Sequence, residues 1–302
     1  TLLRETAFLF KENEWNSEVS GDYEFGLGPG RLKFIGLQRN EHSPTRSQFF
    51  GADLDGQNAT NRVFERVVDE SESILRGEYN WAGSNGADWQ VSLEGAPNTL
   101  DSEAQFSRSM SLDFVTPVEM NNPGIQVEEK RAEAFITHGR SLTPDLRLQV
   151  SLGGEQSEIM SSGAEGETRT FSRPKGSASL AWEVSDKFTL NATVERQVGQ
   201  LNFFDFVSNV DLNAGNDQTG NVQIVPDQRW KFTLEAERNY GSWGALTAEL
   251  FYDDIEDLID QVPIGDGEGP GNLDSASRFG FEFEGTLRFD NLGWNGAQLE
   301  YE

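Results

Sequence analysis

Residues 176–196, GSASLAWEVSDKFTLNATVER, decide the fold. Apolar side chains occupy every second position on both sides of Ser185-Asp186-Lys187, and, apart from Ala181, polar side chains occupy the positions between them. The apolar positions are Ala178, Leu180, Trp182, Val184, Phe188, Leu190, Ala192 and Val194. A helix would need apolar residues three and four positions apart, whereas a period of two is typical of a strand. The stretch therefore predicts a β-hairpin with one apolar and one polar face.

The same alternation recurs along the chain, most clearly in residues 146–152, 230–237, 246–253 and 279–289. The segments between these strands differ in length in a regular way. Short turns are expected at 28–30, 84–88, 142–144, 185–187, 239–242 and 291–295, and long connections near 41–71, 98–125, 156–170, 200–227 and 256–275. Short and long connections alternate, as they do in outer-membrane barrels with short periplasmic turns and longer outer loops. We therefore predict an all-β chain, an antiparallel up-and-down transmembrane β-barrel with about twelve strands.

Tryptophan positions support the same interpretation. Five tryptophans lie within a few residues of the short turns: Trp81, Trp89, Trp182, Trp243 and Trp294. Amphipathic rings concentrate at membrane interfaces, so these residues predict an aromatic girdle at the end of the short turns. Trp230 follows a long connection and would belong to the opposite girdle. The alternative is that these rings form a hydrophobic core at the strand ends.

Composition excludes several classes of protein. The 302 residues include 51 Asp and Glu against 24 Lys and Arg, a formal net charge of −27, so nucleic acid is not an expected partner. The chain has no cysteine, which excludes disulfide scaffolds and thiolate metal sites. Mean hydropathy is −0.57, and no apolar run reaches the length of a membrane helix. The first residues lack the basic and apolar regions of a signal peptide, so we expect none in this chain.

Four pieces of sequence between residues 174 and 302 carry a family resemblance. They are PKGSASLAWEVSDKFTLNATVERQVGQLNFFDF, GNVQIVPDQRWKFTLEAER, GALTAELFYDDIEDLIDQVPI and SASRFGFEFEGTLRF. In this order and spacing they resemble the C-terminal barrel region of TonB-dependent receptors. Residues 1–173 fit the barrel pattern without an equally specific motif.

The resemblance implies a 22-stranded barrel with a globular N-terminal plug. We therefore expect residues 1–302 to be part of a single TonB-dependent receptor β-barrel domain, with the plug and the closing strands outside this chain. The family implies an active importer in the bacterial outer membrane, most typically of a ferric siderophore, with vitamin B12, oligosaccharides and peptides as rival ligands. Its partners would be outer-membrane lipid, its own plug and the TonB complex. A passive porin and a soluble β-rich surface binding protein are the alternatives.

Candidate ligand contacts are the aromatic residues of two long connections. These are Phe49 and Phe50 in one, and Phe203, Phe204 and Phe206 in the other. Binding groups commonly lie on loops at the open end of a scaffold, and flat rings suit siderophores or sugars. The alternative is that these rings pack the loops together. The charged residues Glu235, Glu237, Glu249, Glu282, Glu284 and Arg288 would face the lumen, where they could contact the plug or line the pathway.

Enzyme chemistry is not expected, and no cofactor is implied. The chain has two histidines; His138 shares the parity of an apolar face, and His42 is expected in a solvated loop. Acidic groups at 53–55, 253–257 and 266–268 raise the question of calcium binding in the loops, but solvated acidic loops are the favoured interpretation. No metal site is therefore predicted.

Overall fold

The computed structural model describes residues 4–54, 58–111, 113–120, 123–162, 166–212, 216–218, 220–264 and 267–302. In chain order the strands are β1 (Arg4–Glu12), β2 (Trp15–Leu27), β3 (Gly30–Asp53), β4 (Thr60–Ala82), β5 (Ala87–Ser109), β6 (Thr116–Val118), β7 (Gly124–Thr143), β8 (Leu146–Ser161), β9 (Thr168–Ser185), β10 (Phe188–Val198), β11 (Asn209–Asp211), β12 (Asn216–Gln218), β13 (Gln228–Asn239), β14 (Gly244–Ile264), β15 (Gly267–Arg288) and β16 (Gln298–Tyr301). Single 3₁₀ turns lie at Ser84–Gly86, Phe203–Phe206, Gly241–Trp243 and Asp290–Leu292. Within these ranges no helix is long and apolar enough to cross a membrane.

All strands belong to one sheet, and successive long strands are antiparallel neighbours. β1 and β2 both pair with β3 and share one edge position, while β6, β11 and β12 are short strands within long connections. With these three short strands left aside, the described strands occupy twelve positions across the sheet, from β1–β2 at one edge to β16, which pairs with β15, at the other. This confirms the predicted up-and-down architecture and the expected number of strands.

The six short turns are where the alternation placed them, but most of the predicted long loops are wrong. β3 continues to Asp53 and β4 begins at Thr60, so the region 41–71 is mainly strand. β14 and β15 likewise extend through most of 256–275, and β8 and β9 through most of 156–170. Both faces of these extensions carry polar residues, so the sequence shows no apolar period of two there. The hydrogen bonds between neighbouring strands still pair the backbone groups. The prediction for 200–227 is confirmed in its described residues, which hold only the 3₁₀ turn Phe203–Phe206 and the short strands β11 and β12.

Cross-strand register collects the alternating side chains onto two faces. On the apolar face, Phe232 lies opposite Val194 and Tyr252, and Tyr252 lies opposite Phe279. On the polar face, Thr193 lies opposite Ser179 and Thr233. Phe279 is 83% exposed, and an apolar face this open requires an apolar environment.

Aromatic rings form a row at the turn end, defined here as the end of the sheet that holds the short turns. Ring centroids are 5.4 Å apart between Tyr79 and Trp81, and 6.1 Å apart between Trp81 and Trp89. His138 continues the row at 4.2 Å from Trp89. Two of the five tryptophans near the turns, Trp81 and Trp89, therefore meet on the apolar face, as a girdle requires. The other end of the sheet, where β3 meets β4 and β14 meets β15 in extended hairpins, is called the hairpin end below.

Candidate functional site: the polar face and its strap

A row of ion pairs crosses the polar face from β4 to β9. Its members are Glu78, Arg76, Glu94, Arg131, Glu133, Lys175 and Glu155, joined by N–O distances of 2.7, 3.6, 3.4, 3.9, 2.8 and 3.2 Å in that order. The side chains of Arg131 and Glu155 are each only 5% exposed. Charges buried this deeply need partners of opposite sign, and alternation along the row supplies them. This ion-pair row links five strands through their side chains.

Carboxylates dominate the polar face further along the sheet. Glu235 lies directly opposite Glu249, and Glu249 lies opposite Glu282. Like charges in directly opposed positions destabilise a sheet unless water or a partner compensates them. Asn191 donates its side-chain N–H to Glu235 at 2.8 Å. The predicted lumen charges therefore share one face, as expected.

Residues 199–227 connect β10 to β13 and are called the strap below; their described part folds back over the polar face. Five of its apolar side chains, Leu201, Phe206, Val207, Val222 and Ile224, are buried. They pack on side chains near the hairpin end of the polar face: Val68, Leu100, Ile125, Val127 and Ile159. The strap is therefore a packed element with its own hydrophobic core rather than a loop in solvent.

Contacts at both sides of the sheet show that the strap crosses this face. Towards β4, Arg62 donates Nη1–H to the carbonyl of Leu212 at 2.7 Å. Towards β15, the Asn272 side chain accepts from the Val225 amide at 2.8 Å and donates to the Val225 carbonyl at 2.9 Å. β4 and β15 are far apart in the strand order, so the sheet must curl for one segment to reach both.

A cavity of about 220 Å³ lies between the strap and strands β3, β4, β5 and β7. The strap contributes Phe203 and Phe204, and the strands contribute Arg39, Glu70 and Glu129 among other polar groups. Phe204 also lies over the Arg66 guanidinium, with 5.4 Å between Cζ and the ring centroid. The cavity thus combines flat rings with fixed charges.

The cavity carboxylates lie near the hairpin end, in a part of the sheet where the residues on the opposite face, such as Asp69 and Glu128, are also polar. Burial raises the pKa of Glu70 above its ordinary value, and the nearby Glu41 carboxylate raises it further. Burial also raises the pKa of Glu129, although Arg131 and a hydrogen bond from Asn98 act in the opposite direction. The Arg39 guanidinium forms an ion pair with the Glu41 carboxylate, with 2.7 Å between Nη2 and Oε2. Acidic groups that are costly to ionise therefore line the cavity.

The five predicted ligand-contact residues are not brought together. Phe203 and Phe204 line the cavity, whereas Phe206 is 3% exposed and packs edge-on against Phe203. Phe49 and Phe50 are in β3, so their predicted loop location is wrong. Phe49 packs against the cluster that contains Phe64 and Phe106, and Phe50 lies opposite Ala7 and Asn61. The cavity carboxylates gave no distinctive sequence signal, because polar residues flank them on both sides.

Each of the two histidines contacts a side chain of a neighbouring strand. His42 is in β3 rather than in a loop, and its Nδ1 lies 2.7 Å from an Asp69 carboxylate oxygen. His138 packs on Trp89. In the acidic group at 253–257, Asp253 is fully buried and receives an Arg278 N–H at 2.6 Å.

No group of three or more His, Asp or Glu side chains is placed to hold a metal ion in the described part of the chain. Asp55 and Asp266, which belong to the other two acidic groups, lie outside it.

Solved structures share this architecture at low sequence identity. The ferric citrate transporter FecA matches 87% of this chain with a TM-score of 0.56 and 12% identity. The RagAB peptide importer matches 93% of this chain with a TM-score of 0.55 and 11% identity. The siderophore receptor PirA from Acinetobacter baumannii matches 92% of it with a TM-score of 0.51 and 12% identity. The chain spans 40%, 34% and 51% of these proteins, respectively. At this identity the likeness establishes the fold alone.

Sequence comparison gives the family. No curated protein matches the chain significantly. The family model described as "TonB dependent receptor-like, beta-barrel" matches residues 5–302, nearly the whole chain. Its members are transport receptors of the outer membrane of Gram-negative bacteria rather than enzymes. The chain therefore belongs to the TonB-dependent receptor β-barrel family.

Proposed function

We propose that this chain forms part of the barrel wall of an active, TonB-dependent importer for a scarce ligand, with a ferric siderophore as the first candidate. The observation that carries the proposal is the polar face, where the strap and the strands enclose a cavity that contains both rings and charges. A barrel that only admits small solutes has no need of such a cavity. Residues 1–302 would be one barrel domain, and the plug and the TonB-contacting segment would lie elsewhere in the protein.

Outer-membrane lipid would cover the apolar face, with the turn end towards the periplasm and the hairpin end outside. The opposite face would line the lumen. There the ion-pair row, together with the carboxylates Glu235, Glu249 and Glu282, is available to the plug. A soluble surface protein, the alternative, would remain monomeric without detergent and could not leave such an apolar face exposed. We expect this chain to require detergent or lipid.

A ferric chelate is the first candidate ligand, and a peptide is the second. The structural neighbours include a ferric citrate transporter and a siderophore receptor, which favours a ferric chelate. Another neighbour is a peptide importer, so a peptide is the second candidate. The rings of Phe203 and Phe204 would stack against flat ligand groups, while Arg39 and the carboxylates would select charge.

Growth under iron limitation tests the proposal. The full-length protein would be expressed in a strain that lacks its own copy, and ferric citrate, a ferric trihydroxamate and a ferric catecholate would be supplied separately. We expect growth with at least one chelate, and loss of that growth when TonB is deleted. Growth that persists without TonB would indicate a passive channel. Growth on peptides alone would exclude the siderophore.

The double substitution Phe203→Ala and Phe204→Ala tests the cavity. Each ring is expected to contribute about 0.5–1.5 kcal/mol to ligand binding, so the half-saturating concentration for uptake should rise about tenfold. Uptake of the radiolabelled chelate by whole cells measures this concentration. Phe50→Ala is the control, because Phe50 does not line the cavity, and uptake should be unchanged. Equal half-saturation in the wild type and the double variant would mean that these rings only pack the strap.

A further inference from the structure

The strap is the longest connection between long strands, yet its interior is buried like a protein core. Ile224 is 1% exposed and Val210 is 5% exposed. A segment that opens easily has few buried apolar contacts and exposed backbone hydrogen bonds. The described part of the strap, 199–212, 216–218 and 220–227, has many buried apolar side chains, and the hydrogen bonds that tie its backbone to the strands are partly buried.

Side chains from several strands hold the strap's backbone. Arg169 of β9 donates Nη1–H to the Ile224 carbonyl at 2.9 Å. The Asn272 amide pairs with both backbone groups of Val225, and Asn221 donates to the Pro270 carbonyl at 2.9 Å. These side chains satisfy polar backbone groups that would otherwise be buried without a partner. Opening the strap would break this whole set together with the apolar core.

We propose that the strap is a fixed brace across the lumen, folded before any ligand arrives and docked throughout transport. The cavity wall formed by Phe203 and Phe204 is then preformed, and ligand binding does not carry the entropy cost of ordering a loop. The inference goes beyond the proposed import role and rests on it only for the uptake measurement described last.

Hydrogen exchange on the ligand-free, full-length protein tests the first half of the proposal. The Val225 amide bonds to Asn272, and the Asn221 amide bonds to the Asp205 carbonyl at 2.8 Å. The reference is the exposed Asp113, whose amide bonds locally to the Ser111 side chain. We expect the strap amides to exchange at least about a hundredfold more slowly than the reference. Exchange at the reference rate would overturn the proposal, because the strap would then be open before ligand binds.

Reversible crosslinking tests the second half. The chain has no cysteine, so Asn221→Cys with Pro270→Cys would add an isolated thiol pair where strap and β15 meet. A short bis-thiosulfonate reagent would link the pair, a gel would confirm the link, and a reductant would release it. The two single-cysteine variants, treated alike, are the controls.

We expect uptake of radiolabelled ferric citrate, or of another iron chelate on which the wild type grows, to be equal in the linked and released states. Loss of uptake on linking, restored by the reductant, would show that the strap is a moving gate. Failure of the reagent to link the pair would also count against a docked strap. A wild type that imports no chelate would instead contradict the proposed function and leave the exchange result to decide on the brace.

Discussion

At the scale of single residues, the polar face depends on where each charge finds its partner. Lys175 lies between Glu133 and Glu155, which are cross-strand neighbours on β7 and β8. Without the ammonium group, two mostly buried carboxylates would face each other directly. The sequence shows all three charges but not their proximity, because Glu133 and Glu155 are 22 positions apart in one hairpin and Lys175 belongs to the next strand, β9.

Lys175→Met should reduce the free energy of unfolding by about 3–5 kcal/mol, since removing one partner of a buried pair leaves uncompensated charge. Urea unfolding of the full-length protein in detergent measures the loss. Arg46→Met is the matched control: the Arg46–Glu65 pair is about half exposed, and breaking it should cost less than about 1 kcal/mol. Similar losses in both variants would mean that the row contributes little.

Glu129 gives a prediction for pH. Burial raises its pKa in the folded state, so its charged form costs stability above that raised pKa, and the cost disappears as pH falls through it. Glu129→Gln should therefore be more stable than the wild type at pH 8, and this advantage should shrink on acidification. Unfolding midpoints at a series of pH values test this. Glu158→Gln, on the exposed opposite face, should show no such trend.

At the scale of elements, strands were predictable where one face meets an apolar environment and the other a polar one. Residues 176–196 show this, and their hairpin formed as expected. The run from Arg39 to Gln48 is mainly polar on both faces, so its strand character did not appear as alternation. The strap's docking was not predictable either, because its buried residues pack on strands far away in sequence.

The apolar face makes an element-scale prediction with a neighbouring control. Phe232→Arg should impair folding into lipid bilayers by about 2–4 kcal/mol if Phe232 faces the middle of the membrane. Thr233→Arg, one position along β13 on the polar face, should be tolerated. Folding of the full-length protein into vesicles, followed by its mobility on unheated gels, compares the two. Equal yields would contradict the assignment of the two faces.

At the scale of the whole molecule, the sheet separates its connections by end, with short turns at one and extended hairpins at the other. This ordering, together with the tryptophans, was the part of the fold that the sequence predicted best. The cavity was not predictable as a unit, because Arg39, Glu70 and Glu129 come from three strands, β3, β4 and β7, that are far apart in sequence. Of its walls, only Phe203 and Phe204 were predicted.

An epitope tag would test the orientation proposed above. Inserted after Met110, close to the end of β5, the tag should bind antibody on intact cells. Inserted in the short turn after Ser185, it should bind antibody only after the outer membrane is permeabilised. Surface labelling at both positions, or at neither, would contradict the orientation.

The buried strap also affects which parts of the protein an antibody or a phage can reach. An antibody or phage arriving from outside would meet the hairpin tips first, including Leu54 and Met110, which are exposed. The strap presents its core side chains to the barrel wall and hides them from such contacts. In the proposed orientation, a binding protein from outside would therefore recognise the hairpin tips rather than the buried side chains of the strap.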